Sequence, residues 1–358
     1  MPEEITRCRR CILPSSYPGI DFDADGVCTF CRAAPSPDAM QPAAHRKTQL
    51  DAIINAYRGK GAYDVIVGLS GGKDSSYVAW YLHNEYHLRI LGINFDNGYR
   101  SEYALKNIAV LSDTLGIDVV TIGPNLKFLK KMYAHFLRRR GEFCSVCNNM
   151  GYLLVASFCR REQRLHGVSP LAVGGWSKRY EFQPGVSVTS MQYFFETLTP
   201  SLLEELMAQP FIEEAVVERY RRLHDPRQAQ LETTGGAEKN AVAMDMIQLP
   251  DYIQWNMKDI PDFLEQTLGW RRPPNIHASH FDCTVFPIKG FLKYRKFGLS
   301  QETIKNSVMI REGAMSREEA LARCSLDQRD EPSVYRGFLA DLGLAPEDVS
   351  DDAEWSSG

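Results

Sequence analysis

One run of residues, Val67-Gly68-Leu69-Ser70-Gly71-Gly72-Lys73-Asp74-Ser75-Ser76, limits more than any other what this 358-residue chain can fold into. It follows an apolar stretch, Val65-Ile66-Val67, that reads as a buried strand, and it opens a segment, Ser75 to Tyr86, with helical patterning. Glycines let a backbone approach a phosphate closely. Free N–H groups at a helix start then face the anion. Lys73 adds positive charge, and Ser70 and Ser75 add hydroxyl donors. The string is not a Walker A loop, which needs a glycine four residues before Gly-Lys-[Ser/Thr]. Val67 stands where that glycine belongs, and Asp74 follows the lysine.

An α/β rhythm surrounds this turn. Tyr63 to Leu69 reads as the first strand, Leu88 to Phe95 as a second, Val119 to Ile122 as a third, and Leu171-Ala172-Val173 as a fourth. Helical patterns lie between them at Ser75–Tyr86, Glu102–Leu115 and about 126–139, with another ahead of them at about 46–58. Such alternation predicts a doubly wound parallel sheet with helices on both faces. In such sheets ligands bind at the carboxyl ends of strands. From about 190 the pattern turns mainly helical, with Met309–Ala322 and Val334–Leu342 as helices. Residues 230–242 read as a mobile loop and Asp351–Gly358 as a frayed tail. The expected units are therefore 1–34, 46–190 and 191–350, with a Pro-rich linker holding Pro35, Pro37 and Pro42 after the first.

Cysteines mark two further sites. Cys8-Arg-Arg-Cys11 and Cys28-Thr-Phe-Cys31 are paired knuckles, whose four soft ligands suit tetrahedral Zn²⁺ better than an iron centre or bare thiols. A module this small has too little core to fold unaided, so the metal would supply folding energy. Cys144-Ser-Val-Cys147 and the distant Cys283 form a second set, open to an iron–sulfur cluster, to catalytic or redox thiols, or to zinc or plain structural packing. Cys159 and Cys324 read as core thiols.

The string Ser70-Gly71-Gly72-Lys73-Asp74-Ser75 resembles the signature of the PP-loop ATP pyrophosphatases, or adenine nucleotide α-hydrolases. That resemblance implies a HUP-type fold and a loop, Ser70 to Ser75, that holds the β,γ-pyrophosphate of ATP while the α-phosphorus is attacked. It also implies adenosine contacts at Phe95-Asp96-Asn97 and Mg²⁺ bridging the phosphates, with Asp74 as a ligand. The wider chain resembles the N-acetyl sugar amidotransferases of bacterial surface-polysaccharide biosynthesis. The likeness runs through Cys8-Arg-Arg-Cys11-Ile-Leu-Pro14, Phe95-Asp96-Asn97, Cys144-Ser-Val-Cys147, Leu268-Gly269-Trp270, Asp282-Cys283, Tyr294-Arg295-Lys296-Phe297-Gly298 and Ile310 to Ala320. It implies an acetamido group on a nucleotide-linked sugar as the acceptor, with conversion to an acetamidino group. Lys73, Asp74, Ser75, Cys144, Cys147 and Cys283 would then be the catalytic set, and His280 a candidate general base.

In this chemistry the amide oxygen attacks the α-phosphorus, pyrophosphate leaves, and ammonia displaces AMP. With hydrosulfide the same site would be a sulfurtransferase, and a [4Fe-4S] cluster on Cys144, Cys147 and Cys283 would serve that alternative. The thiolation branch usually carries a Gly-His-x-x-Asp tract. Here Gly174-Gly175-Trp176-Ser177-Lys178-Arg179 stands in its place, which argues against tRNA. The formal net charge of −4 gives no global pull toward nucleic acid either. Arg138-Arg139-Arg140 and Arg160-Arg161 are basic clusters read as solvated helix surface or as anchors for an anion. No apolar run of about 18 residues is present, and the opening lacks a signal-peptide core, so the expected location is the cytoplasm. A separate glutaminase subunit is the expected ammonia source, and a homodimer the expected assembly.

Overall fold

The computed structural model describes residues 6–17, 19–34, 43–177, 191–223, 245–256, 259–273, 280–299, 301–324 and 330–351. The Pro35–Pro42 linker, the loop expected at 230–242, Lys178-Arg179, the tail from 352 and the side chain of Cys324 lie outside the described residues.

Five strands, β1 (Val65–Gly68), β2 (Ile90–Phe95), β3 (Asp118–Ile122), β4 (Leu171–Gly174) and β5 (Met246–Gln248), form one parallel sheet in the order β3-β2-β1-β4-β5. The apolar run Val65-Ile66-Val67 splits by strand periodicity. Ile66 enters one core with Leu91, Ile93, Phe95 and Ala172, while Val65 and Val67 enter the other with Ile90, Leu171 and Val173. Both faces are thus covered, as a parallel sheet requires.

The helices on the second face are α2 (Ala43–Tyr57), α3 (Lys73–Tyr86), α4 (Glu102–Leu115) and α10 (Ile260–Leu268), following a short α1 (Thr29–Ala33). On the first face lie α5 (Leu126–Arg140), α6 (Cys144–His166), α7 (Met191–Thr197), α8 (Pro200–Met207) and α9 (Glu214–Leu223). Caps mark the boundaries. Ser101 accepts from the Ala104 N–H at 3.1 Å to start α4, Asn125 caps α5, and Gly141, in left-handed geometry, ends it.

Beyond them come α11 (Phe286–Phe297), α12 (Gln301–Arg311), α13 (Arg317–Cys324) and α14 (Tyr335–Asp341). The single helix expected at 309–322 is two. Gly313 turns left-handed at φ 72°, and the Ser316 hydroxyl accepts from the Glu319 N–H to restart the spiral as α13. The basic clusters are largely engaged within the protein: Arg160, Arg161 and Arg164 all pair with Glu213, Arg138 reaches Asp348, and Arg140 lies over the Tyr193 ring.

The cysteine-bearing unit packs on these late helices. Phe297, Leu299 and Ile304 share its core with Cys8, Leu13 and Tyr17, and the Arg317 guanidinium donates to the carbonyls of both Cys8 and Cys11. No described helix is long and apolar enough to cross a membrane.

Candidate functional site

The sheet reverses its winding between β1 and β4, so the crevice at their carboxyl ends is where a ligand is expected. The turn from Leu69 to Gly72 sits there, closed by its own hydroxyls. Ser75 Oγ accepts from the Ser70 N–H at 3.1 Å and lies 3.2 Å from Ser70 Oγ, which in turn accepts from the Gly72 N–H at 3.3 Å. Gly71 has φ 75°, and a Cβ there would stand 2.2 Å from the Ala104 carbonyl oxygen, so no other residue fits. Its own carbonyl accepts from Asn107 Nδ2 and from Trp270 Nε1, each at 3.1 Å. Asn107 also binds Arg271 through both its amide groups, which straps residues 270–271 over the turn.

Lys73 is buried, with Nζ at 2.6 and 2.7 Å from the two Asp74 carboxylate oxygens. Burial lowers its pKa, partly offset by Asp74, and nearby Lys305 lowers it further. Lys305 comes from α12, a helix that buries Thr303, Asn306 and Ser307 as well. It pairs with Glu302 at 3.3 Å and lies over the Trp176 ring. His280 stacks near Trp176 and Phe286, and desolvation and then Lys305, Lys73 and Lys289 hold its pKa well below the ordinary value. The imidazole is therefore neutral at neutral pH, within a cluster rich in positive charge. Gly175 packs so tightly that a Cβ there would touch Asp74 at 3.1 Å. The start of the tract after β4, Gly174 to Ser177, is thus a wall of this crevice.

The second wall is built by an antiparallel pairing of Arg100 with Cys283. Ser101 N–H donates to the Asp282 carbonyl at 3.2 Å and Thr284 N–H to the Tyr99 carbonyl at 2.9 Å. This sets the Asp282 carboxyl against the turn, where a Cβ on Gly72 would stand 3.2 Å from its Cγ. Arg100 reaches Asp282 at 3.5 Å and the Phe95 carbonyl at 3.0 Å, and its buried Nε has no partner.

Asn97, at the end of β2, points its amide nitrogen at Cys283 Sγ (3.5 Å) and Cys147 Sγ (3.8 Å). Tyr133 Oη lies 2.8 Å from Cys147 Sγ and donates to the Asn97 carbonyl at 3.2 Å. Cys144 is the first residue of α6 and interacts electrostatically with both other thiols. Burial raises all three thiol pKa values, that of Cys283 to about 12, so as bare groups they are protonated at neutral pH. The structure therefore groups Cys144, Cys147 and Cys283 beside Asn97, while Asp96 is exposed and accepts from the Gly98 N–H. Cys159 is a core thiol in contact with the Pro170 carbonyl.

The N-terminal cysteines are a separate centre. Cys8, Cys11, Cys28 and Cys31 are buried, with all four sulfurs within 4.8 Å of one another. Cys8–Cys31 is 3.9 Å and Cys11–Cys28 is 3.7 Å. Ligands at about 2.3 Å from a tetrahedral ion would be about 3.8 Å apart, which these two pairs match. Hydrogen bonds from Cys28 and Cys31 push the Cys11 pKa down to about 2, while their own are pushed up. Bare, the four sulfurs cannot all be ionised this close together; a bound cation would let them be.

Arg100, Asp282, Lys305, Trp270 and Asn107 are site residues that the sequence did not assign. Their contacts join segments far apart in the chain, so no local pattern marks them.

Comparison with known proteins adds the following. Residues 277–351 match the family model described as LPS biosynthesis protein WbpG-like, C-terminal domain. The chain is 33% identical over 82 residues to the tRNA-specific 2-thiouridylase MnmA of Albidiferax ferrireducens, covering 21% of each. It is 37% identical over 86 residues to the glutamine-hydrolyzing GMP synthase of Pyrobaculum aerophilum, covering 24% of this chain and 17% of that one. The matches thus span about a fifth of these relatives. Among solved structures, the U34-tRNA thiolase NcsA from Methanococcus maripaludis with its [4Fe-4S] cluster aligns at 15% identity over 87% of this chain and 88% of that one, with a TM-score of 0.31.

Proposed function

We propose that this chain, a member of the PP-loop ATP pyrophosphatase superfamily with a WbpG-like C-terminal domain, adenylylates an amide oxygen and replaces it with ammonia. The acceptor in this reading is an acetamido group on a nucleotide-linked sugar. AMP and pyrophosphate leave, and an amidine remains. One observation carries it: the WbpG-like segment is the part of the chain that sets Asp282 and Cys283 against Gly72 and Asn97, so that segment and the phosphate turn share one crevice.

The residues divide the work as follows. The N–H groups and hydroxyls from Ser70 to Ser75 take the β,γ-phosphates. Lys73, released from Asp74, follows the charge that builds on departing pyrophosphate, and Lys305 adds a second cation. Asp74 is then free to hold Mg²⁺, which supplies charge neutralisation. Phe95 and Asn97 border the adenosine side, with Asp96 at its solvent edge. Buried polar groups and a covering strap orient the acceptor oxygen toward the α-phosphorus and exclude water. His280, held neutral among lysines, lines the site without adding charge, and the proton shed by ammonia passes to solvent or to departing phosphate. In this reading the N-terminal knuckles hold Zn²⁺ as a structural ion, residues 1–34 being a module attached to a PP-loop domain over 46–190 and a cap over 191–350.

Ammonia from a separate glutaminase subunit is supported by the glutamine-hydrolyzing relative. The purified chain should then use ammonium far better than glutamine. A sulfurtransferase is the second reading, favoured by the grouping of Cys144, Cys147 and Cys283. These thiols would hold the cluster that such chemistry uses. Mass spectrometry of N-acetylated nucleotide sugars incubated with ATP, Mg²⁺ and either ammonium or sulfide separates the two. Amidation makes the product about 1 Da lighter and thiolation about 16 Da heavier. ADP and orthophosphate as the nucleotide products would exclude both.

A further inference from the structure

Arg100 carries a donor that neither the fold nor the phosphate turn uses. It stands just before α4, whose first turn packs on the phosphate turn through the contact of Ala104 with Gly71. Its side chain is 12% exposed. Nη2 donates to the Phe95 carbonyl at 3.0 Å, and Nη1 reaches Asp282 Oδ2 at 3.5 Å, long for a charged pair. The buried Nε has no partner. The two terminal nitrogens suffice to fasten the end of β2 to the segment that carries Asp282, so a structural role leaves the Nε–H unexplained. A guanidinium cannot shed its proton, and a charged donor kept dry without an acceptor is costly.

The contacts of Arg100 fix where that donor lies. Asp282, on one side, stands against Gly72 of the phosphate turn. Phe95, on the other, ends the strand that borders the adenosine side in the proposed reading. The guanidinium also acts electrostatically on Cys147 and Cys283. ATP laid with its outer phosphates on Ser70 to Ser75 and its adenosine beside Phe95 and Asn97 must carry its α-phosphate across the gap between them. Arg100 touches both borders of that gap. Lys73 and Lys305 serve the outer phosphates in that reading, and the phosphorus under attack has no cation of its own.

We infer that Arg100 holds the α-phosphate of ATP, with its Nε–H on a non-bridging oxygen. This rests on the ATP site of the proposed reading and is independent of acceptor and nucleophile. As the acceptor oxygen bonds to the α-phosphorus, the bond from that phosphorus to the bridging oxygen breaks, and pyrophosphate leaves with the electron pair. Arg100 gives up no proton. It balances charge on the α-oxygens through this step and stays with the phosphate of AMP when the nucleophile displaces it.

The probes are AMP and pyrophosphate, each with Mg²⁺, titrated calorimetrically into the full chain as wild type, Arg100→Met and Arg100→Lys. The wild type binds both. Arg100→Met weakens AMP binding by about tenfold or more, the size expected for one charge-assisted hydrogen bond, while pyrophosphate affinity stays within about twofold. Arg100→Lys keeps the charge and recovers part of the AMP affinity; where the methionine variant does not fold, the lysine variant decides, again with a loss confined to AMP. Retained pyrophosphate affinity shows that the turn is intact. Unchanged AMP affinity in every variant that folds overturns the assignment. Equal loss of both ligands also overturns it, by making Arg100 a scaffold of the whole turn, as does a wild type that takes pyrophosphate but not AMP. A wild type that takes neither ATP nor pyrophosphate sinks the ATP reading itself, and the assignment with it.

Discussion

Trp270 donates its indole N–H to the carbonyl oxygen of Gly71 at 3.1 Å, across 199 residues of sequence. The indole is fully buried and meets Phe281 edge-on, so the residue ties the phosphate turn to the approach of Asp282. Trp270→Phe keeps the ring contact and deletes the hydrogen bond. Unfolding in urea should then show a loss of about 1–3 kcal/mol, because the Gly71 carbonyl keeps only Asn107. Pyrophosphate release should show a raised KM for ATP. An unchanged KM would mean that the strap is purely structural.

Gly71→Ala should be far more damaging than its size suggests. The left-handed backbone costs roughly 1–2 kcal/mol for any residue with a Cβ, and the collision with Ala104 adds to it by pushing the turn off α4. The check is ATP binding by calorimetry, compared with Gly116→Ala. That position is also left-handed, but its added Cβ meets nothing within 4 Å, so ATP affinity there should be preserved.

Lys305→Met removes a charge but keeps most of the volume. If Lys305 serves the departing phosphates, kcat should fall by about 10²-fold, the scale seen when one charge-stabilising group is lost. Repulsion within the cluster also eases, so thermal stability should hold or rise. A variant with wild-type kcat would remove Lys305 from the phosphate site.

The His280 imidazole gives stability a pH dependence. Its folded pKa lies well below 6.5, with Lys73, Lys289 and Lys305 facing it, the first paired to Asp74 and the last to Glu302. As pH falls below about 6.5 the unfolded chain takes up a proton that the folded site refuses, so stability drops by up to about 1.4 kcal/mol per pH unit. Above that value both states are neutral and the effect vanishes. Urea unfolding of wild type and His280→Phe at pH 7.5 and 5.5 should show a smaller drop in the variant; equal drops would place the proton uptake elsewhere.

Metal content supplies the last test. The chain as purified should carry one tightly held ion at the four N-terminal cysteines, zinc in the proposed reading, and Cys8→Ser should lose it. Arg317→Ala should retain the ion yet lose about 1.5–3 kcal/mol in unfolding, because its charge-assisted bonds to the Cys8 and Cys11 carbonyls are gone. Loss of metal in Arg317→Ala would show that this clasp is part of the metal site.

The sheet was legible where strands are apolar and bounded by turns, as in Val65-Ile66-Val67 and Leu171-Ala172-Val173. β5 was not, because Met246-Ile247-Gln248 is three half-buried residues with no periodicity to read. The long α6 was not legible as a helix, because its first turn stood out only as candidate ligands, Cys144 and Cys147, and Gly151 interrupts its apolar patterning. The phosphate turn could be read because one contiguous string carries its glycines, lysine and hydroxyls. Arg100, Asp282 and Lys305 could not, since their proximity to that turn depends on the pairing of residues 99–101 with 282–284 and on the packing of α12.

The clasp between Arg317 and the first cysteine knuckle spans 309 residues, and this governs the order of assembly on the ribosome. The knuckle emerges long before Phe297, Leu299 and Ile304, which cover it. Until then its apolar side has no cover, and in the proposed reading a bound ion is what keeps it folded. Metal-starved cells should therefore accumulate nascent chains captured by chaperones well before any loss of enzyme turnover can be measured.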